Sequence, residues 1–125
     1  MPGVTLDAGG LIALDRDNRR VVVLLARARE TAARVTVPAT ALAQALRRPE
    51  RQVRLARLVR QPTTDLVALD RVDATSVGRL LAASGTADIV DAHVVICARR
   101  GQQQVVSSDA DDLRLLDPNL RVISI

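Results

Sequence analysis

The sequence contains no aromatic residue, because Phe, Tyr and Trp are all absent from its 125 residues. RNA-binding modules that read single-stranded bases by stacking them on aromatic side chains therefore cannot be built from this chain. Lysine is absent as well, so that every basic side chain is an arginine. Any contact with a nucleic acid must depend on guanidinium and backbone groups.

Cysteine is almost absent, and membrane or export signals are missing. Cys97 is the only thiol, which excludes an internal disulfide bond, and its place in an apolar stretch predicts a small buried side chain. The longest apolar run falls far short of the roughly 18 residues that suggest a membrane span. No basic segment followed by an apolar one, as in a signal peptide, opens the chain. We therefore expect a cytoplasmic protein with no membrane partner.

The net charge of +4 is unevenly distributed along the chain. Residues 16–60 carry 12 arginines against three acids, a net charge of +9, whereas the remainder carries −5. A basic segment beside an acidic remainder suggests a polyanion that approaches an acidic, metal-dependent site. The alternative is a merely solvated surface in a chain that uses arginine in place of lysine.

Short apolar strands alternate with helical patterns throughout the chain. The length and the 48% hydrophobic content fit one globular domain, residues 1–125. The alternation predicts an α/β fold, a three-layer α/β/α sandwich with a mainly parallel central sheet. The predicted strands are 4–6, 35–37, 65–69, 104–107 and 121–124, the last at an edge; the predicted helices are 18–34, 38–48, 50–60, 71–83, 86–101 and 109–116.

Acidic residues stand where these strands end and where one helix begins. Asp7 and Asp109 each follow a predicted strand. Asp88 and Asp91 open a helix-length apolar run that is expected to be buried, with Thr86 as its N-cap, and their spacing places them on one helical face. These positions fall at the same edge of a parallel sheet, so the carboxylates can converge.

A cluster of carboxylates without His or Cys ligands selects a hard cation, Mg²⁺ or Mn²⁺. With a polyanion as substrate, the chemistry of that cation is phosphodiester hydrolysis, because it activates water and neutralises the charge that develops on phosphorus. The alternative is that Asp7, Asp91 and Asp109 are ordinary helix caps.

Four segments, taken together and in order, resemble a known family. They are Leu6-Asp7-Ala8, Val37-Pro38-Ala39, Asp91-Ala92-His93-Val94 and the stretch from Val105 to Leu113. The chain is similar over essentially its whole length to the PIN-domain ribonucleases, specifically the VapC-type toxins of bacterial toxin–antitoxin modules. The resemblance implies an α/β/α sandwich and an Mg²⁺- or Mn²⁺-dependent endoribonuclease that acts on RNA, forms a homodimer and is inhibited by a cognate antitoxin protein.

The resemblance also implies roles for individual residues. The first, third and fourth acids of the family match Asp7, Asp91 and Asp109, which are thereby the expected catalytic and metal-binding residues. Ser107 matches a position that often holds Ser or Thr. Asp88 and Asp112 match positions that are frequently acidic, and are secondary candidates.

Gln44 departs from the family pattern, because the second family acid is normally a glutamate at this position. A glutamine can bind a water molecule or a substrate, but it cannot act as a base and it binds a cation more weakly. Two interpretations stay open: a ribonuclease, of full or reduced activity, and a PIN-like protein that binds RNA or antitoxin without turnover. A nucleotide-binding α/β module outside this family is a third.

Two further features receive structural interpretations. His93, the only histidine, lies two positions from Asp91 and off its helical face, so that a structural or surface role is expected rather than acid–base chemistry. Gly9 and Gly10 are expected to permit the turn after Asp7. The antitoxin is expected to cover a groove beside the helices of residues 38–60, and arginines of residues 16–60 to guide the RNA.

Overall fold

A five-stranded parallel sheet forms the centre of the molecule, as seen in a computed structural model that describes residues 3–125. The strands are β1 (Val4–Leu6), β2 (Val35–Pro38), β3 (Thr64–Val67), β4 (Gln104–Ser107) and β5 (Val122–Ser124). Their order is β3-β2-β1-β4-β5, and every neighbouring pair is parallel. Strands β2 and β3 thus extend the sheet on one side of the central strand β1, and β4 and β5 extend it on the other side. Open α/β sheets bind ligands at the place where the strand order reverses in this way.

Helices cover both faces of this sheet. All residues of β1 and β2 are buried although successive side chains of a strand point to opposite faces, so neither face is open to solvent there. The predicted α/β/α architecture is thereby confirmed. The helices are α1 (Ala8–Asp15), α2 (Arg19–Glu30), α3 (Ala39–Ala45), α4 (Val53–Arg60), α5 (Arg71–Ser84), α6 (Ile89–Gly101) and α7 (Ala110–Leu116).

Helix boundaries differ from the predicted ones where local backbone geometry decides them. Helix α2 begins after its predicted N-cap Asn18, but it ends at Glu30 rather than near residue 34, because Ala32 adopts a left-handed φ of 54°. Helix α4 begins three residues later than predicted, since Pro49–Arg51 forms a short 3-10 turn. Strand β3 is likewise shorter than predicted and ends at Val67.

The start of α6 corrects two predictions. The N-cap is Asp88, whose Oδ1 accepts the backbone N–H of Asp91 at 2.9 Å, whereas the hydroxyl of Thr86 contacts that of Ser84. The first turn of this helix is also not buried: Asp88 is exposed and Ile89 is 52% exposed. The apolar run enters the core only from Ala92 onward.

Gly9 and Gly10 lie inside the first turn of α1 rather than in a turn before it. A Cβ atom on Gly10 would stand 2.6 Å from the carbonyl oxygen of Val106 in β4, closer than van der Waals contact allows. The glycine pair therefore lets α1 start directly against the central strands.

Within residues 3–125 no single helix is long and apolar enough to cross a membrane. Helices α5 and α6 would meet that criterion only as a pair, and they are bent by 109° at the break between them.

Candidate functional site

Asp7 lies at the carboxyl end of the central strand β1 and caps α1. Its Oδ1 accepts the backbone N–H of Gly10 at 2.7 Å, and the residue is only 5% exposed. Burial raises the pKa of this carboxyl group, while hydrogen bonds from the Ser107 hydroxyl and the Gly10 amide work in the opposite direction. The pKa remains above its ordinary value, so the ionised form lacks full compensation.

Ser107 joins two of the predicted site residues. It is the last residue of β4, which pairs with β1, and it is completely buried. Its hydroxyl donates to the carboxylate of Asp7 and accepts the backbone N–H of Asp109 at 2.8 Å. Ser107 therefore fixes the start of the β4–α7 connection relative to Asp7.

Asp109 occupies the N-cap position of α7, but its side chain makes no capping hydrogen bond. The carboxyl group instead shares a hydrogen bond with that of Asp112, one turn further along the chain. This bond and the negative charge of Asp109 raise the pKa of Asp112. The ordinary cap that we considered for Asp109 therefore does not describe its side chain.

Asp91 lies in the first turn of α6, half-buried beside the other acids. Burial is the main cause that raises its pKa to about 6, and the charges of four neighbouring acids add to it, in the order Asp88, Asp7, Asp112 and Asp109. Because charges act over short distances in water, this coupling shows that the five carboxylates share one locality. The N-terminus of α6 supplies some stabilisation of negative charge.

Among residues 3–125, no cationic side chain forms an ion pair with these carboxylates. The ion pairs among residues 3–125 connect arginines and His93 to other acids, in the pairs Arg34–Asp65, Arg54–Asp17, His93–Asp73, Arg99–Asp117 and Arg100–Asp73. Crowded carboxylates with raised pKa values and no arginine partner fit a bound cation. Since the ligand atoms are all oxygens, the residues fit Mg²⁺ or Mn²⁺.

Gln44 lies on the last turn of α3 and is exposed. Helix α3 packs against α1 and α6, the two helices whose starts carry Asp7 and Asp91. The amide of Gln44 is neutral, so α3 contributes no negative charge at this position.

Comparison with solved structures identifies the fold. No protein-family model and no curated protein sequence matches the chain. A chain in the crystal structure of FitAcB from Neisseria gonorrhoeae superimposes with a TM-score of 0.65 and 17% identity, over 97% of this chain and 96% of that one. The fold is PIN-like.

Two further structures share this PIN-like fold. FitAB bound to an IR36 DNA fragment gives a TM-score of 0.65 and 16% identity, covering 97% of this chain and 94% of that chain. VapBC2 from Rickettsia felis, bound to a DNA fragment from its promoter, gives 0.62 and 13%, covering 97% of both chains. The predicted resemblance to PIN-domain proteins is thus confirmed for the fold.

A second polar cluster, absent from the sequence-based predictions, lies deeper in the PIN-like fold. His93 is fully buried; its Nδ1 lies 2.9 Å from the Thr40 hydroxyl and its Nε2 lies 3.0 Å from Oδ2 of Asp73. The other oxygen of Asp73 accepts a hydrogen bond from Arg100. We call these four residues the His93 network. The structural role predicted for His93 fits this position, whereas a surface role does not.

The His93 network balances its charges internally. Burial alone would raise the pKa of Asp73, but hydrogen bonds from Arg100 and His93 outweigh it and hold the pKa below its ordinary value. The sequence signal for this network was a lone histidine in an apolar helix, which must find hydrogen-bond partners when buried. Its partners could not be named because they come from other helices.

Cys97 lies close enough to Asp73 and His93 for the three side chains to be considered as metal ligands. Both ring nitrogens of His93 and both oxygens of Asp73 already have protein partners. Burial also raises the pKa of the Cys97 thiol to about 11, which disfavours the thiolate. The contacts therefore describe a hydrogen-bonded network with a thiol beside it.

Proposed function

We propose that this chain is a metal-dependent endoribonuclease of the VapC type, formed as one domain by residues 1–125. The observation that carries the proposal is the group of unpaired carboxylates at the point where the sheet order reverses, with the pKa of Asp91 raised to about 6. A PIN-like fold and a sequence that resembles VapC toxins support the same interpretation.

In this proposal Asp7, Asp91 and Asp109 hold Mg²⁺ or Mn²⁺. The cation supplies, when bound, water activation and neutralisation of the charge on the phosphate. Ser107 keeps Asp7 and the backbone of Asp109 in register through its two hydrogen bonds. Asp88 and Asp112 supply further negative charge around the site.

The substrate would be RNA guided by the arginines of residues 16–60, whose net charge is +9. Because the chain has no aromatic side chain, recognition would depend on backbone phosphates and on guanidinium groups. We accordingly expect cleavage to weaken steeply as salt rises.

The test is cleavage of RNA by purified protein in Mg²⁺ or Mn²⁺, with the Asp7→Asn variant alongside. We expect cleavage that EDTA abolishes, and a loss of at least 100-fold in Asp7→Asn, because the substitution removes a ligand charge without changing the side-chain shape. Asp111→Asn, an exposed acid of α7, serves as a control and should retain activity. A chain without cleavage in either metal, or an Asp7→Asn variant of full activity, would contradict the proposal.

Gln44 favours a second candidate, a PIN-like protein that binds RNA or an antitoxin without turnover. The neutral amide leaves α3 without the expected carboxylate. The Gln44→Glu variant decides between the two candidates: metal-dependent cleavage gained from a silent wild type favours the second, whereas an active wild type rules it out.

The proposed protein partner is an antitoxin in the groove between α2 and α4. This groove has a volume of about 480 Å³; Leu25 and Leu58 contribute apolar surface, and Arg29, Arg54 and Arg57 contribute charge. It therefore fits an amphipathic segment with apolar and acidic side chains. It lies beside the helices of residues 38–60, where the partner was expected.

Co-purification with the product of a neighbouring gene in the native operon tests this partner. An Ala26→Arg variant should prevent it, because Ala26 lines the groove and is exposed. The matched control is Ala74→Arg, at an exposed position of α5 outside the groove. A native protein that emerges alone, or a partner retained equally by both variants, would count against the antitoxin.

We also propose that the protein is a homodimer, which light scattering can test, and that it is located in the cytoplasm, which cell fractionation can test.

A further inference from the structure

The His93 network connects three helices by side chains alone. Thr40 belongs to α3, Asp73 to α5, and His93 with Arg100 to α6. Asp73 and His93 are 2% and 0% exposed, so both are removed from water. Groups buried in this way hold their partners firmly, because breaking a hydrogen bond there leaves a polar atom unsatisfied.

One assignment of donors and acceptors fits all hydrogen bonds of the network. The carboxylate of Asp73 can only accept, so the Nε2–H of His93 donates to it. In the neutral ring Nδ1 is then an acceptor, and the hydroxyl of Thr40 donates to it. Arg100 donates to the remaining oxygen of Asp73. Both ring nitrogens of His93 and both carboxylate oxygens of Asp73 thereby have a hydrogen-bond partner.

Side-chain hydrogen bonds hold α3 at both ends: near its start Thr40 contacts His93 of α6, and at its end the carbonyl of Ala45 accepts from Nε2 of Gln52 at 3.0 Å. Helix α3 comprises seven residues, and Pro38 at its N-cap position offers no side-chain hydrogen bond. So short a helix is marginal by itself and depends on tertiary contacts. Its two buried residues are the small Ala41 and Ala45, which leave the hydroxyl of Thr40 as a directional contact to α6.

Thr40 and Gln44 are four residues apart and therefore lie on the same face of α3. The contact that anchors Thr40 to His93 consequently sets the direction in which Gln44 points. His93 is two residues beyond Asp91 on α6, so the anchor links the helix of Gln44 to the helix of a proposed metal ligand.

We propose that the His93 network is a positioning device, in which Thr40 acts through His93 to fix α3, and with it residue 44, relative to the acidic site. The positioning of α3 stands on contacts alone, whereas its consequence for the site rests on the proposed metal-dependent function. Thr40 and His93 are thus positioning residues and take no part in the chemistry.

The first test compares Thr40→Val with Thr40→Ser by amide hydrogen exchange in the full chain. The valine has the shape of threonine without the hydroxyl, whereas serine keeps the hydroxyl. We expect amides of residues 43–46 to exchange at least tenfold faster in Thr40→Val, with β1 and β4 unchanged and with the wild-type rate in Thr40→Ser. Unchanged rates in α3, or an equal acceleration across the whole chain, would overturn the positioning role.

The second test measures Mn²⁺ affinity by calorimetry in the Gln44→Glu background, where residue 44 can act as a ligand. Thr40→Val should weaken binding at least fivefold there and leave it unchanged when residue 44 is Gln. Equal effects in both backgrounds would overturn the link between the network and residue 44. An absence of Mn²⁺ binding in every variant would instead contradict the proposed function, and the exchange rates would then decide the positioning role alone.

Discussion

Two clusters of polar residues include side chains of α6 that lie within one turn of each other, Asp91 and His93. The charges of the two clusters are compensated in opposite ways. Asp91 belongs to a cluster of five carboxylates that form no ion pair with an arginine in the described part of the chain, and its pKa is raised to about 6. His93 belongs to a network in which both of its ring nitrogens and both carboxylate oxygens of Asp73 have partners, and the pKa of Asp73 is lowered. The comparison shows that neighbouring parts of one helix carry carboxylates without a cationic partner and charges that hold helices together.

The difference follows from solvent and from partners. The network lies in the core, where an unpaired charge is too costly to persist. The acidic cluster lies at the edge of the sheet, where water and the N-terminus of α6 make repulsion among carboxylates tolerable. Repulsion tolerated in the folded protein is a source of binding free energy for a cation that relieves it.

The largest expected effect comes from Asp73→Ala, which breaks the paired region. The variant leaves the Nε2–H of His93 buried without an acceptor, although Arg100, whose side chain is 54% exposed, can turn to solvent. We expect a loss of about 3 kcal/mol in the free energy of unfolding. Urea denaturation at pH 7 measures it, and a loss below 1 kcal/mol would show that the network contributes little to stability.

Gly10→Ala should have the next largest effect, because it disturbs the helix start that holds Asp7. The added methyl group would meet the carbonyl oxygen of Val106 at 2.6 Å, and backbone must move to admit it. We expect a loss of about 2 kcal/mol. Gly78→Ala in α5 is the matched control: a Cβ added there would have no neighbouring atom within 4 Å, and the free energy of unfolding should rise by about 0.5–1 kcal/mol. Similar thermal denaturation curves for the two variants would contradict this assignment.

The acidic cluster was accessible to sequence reasoning because its members occupy positions that local rules describe. Asp7 and Asp109 follow short apolar strands, and parallel strands end at one edge. Periodicity likewise predicted all five strands and the edge position of β5. The cap of α6 was misplaced because Thr86 and Asp88 are both good N-cap residues, and only the backbone geometry selects between them.

The His93 network was not accessible, because its partners are 20 and 53 residues away from His93 in the chain. Asp73 looks like any first-turn acid of a surface helix, yet it is almost completely buried. Which buried group an isolated histidine meets is decided by helix packing, and periodicity contains no information about it. Spacing rules therefore predicted the residues of the acidic cluster but not those of the His93 network.

Asp91→Asn should sharpen the comparison by relieving repulsion. The pKa of about 6 in the folded protein exceeds the ordinary value of 3.8, so the native state holds a proton between about pH 4 and 6 that the unfolded chain has lost. The contribution of Asp91 to stability therefore falls as pH rises through this window. At pH 7 without divalent cations we expect the variant to be more stable by about 1 kcal/mol, after allowing for solvent screening.

Divalent cations should reverse the difference in stability between the wild type and Asp91→Asn. Urea denaturation at pH 7 with Mn²⁺ should stabilise the wild type and affect Asp91→Asn much less, because a cation that binds only the native state adds stability. The same addition at pH 5, where Asp91 is largely protonated, should stabilise the wild type less. Asp111→Asn provides the control, with a response to Mn²⁺ like that of the wild type. If the stability of the wild type did not change with Mn²⁺ at either pH, the acidic cluster would not bind this cation.

The smallest effect is expected from Arg34→Ala, which tests whether pairing or burial gives the His93 network its importance. Two hydrogen bonds join the guanidinium of Arg34 to the carboxylate of Asp65, but the side chains are 46% and 47% exposed. Exposed pairs contribute at most about 1 kcal/mol, since water and salt screen them. We therefore expect a loss of stability much smaller than that of Asp73→Ala in urea denaturation at 0.15 M salt, and a smaller loss still at 1 M. If this variant lost as much as Asp73→Ala, charge pairing alone would account for the stability of the network; a small loss assigns that stability to burial.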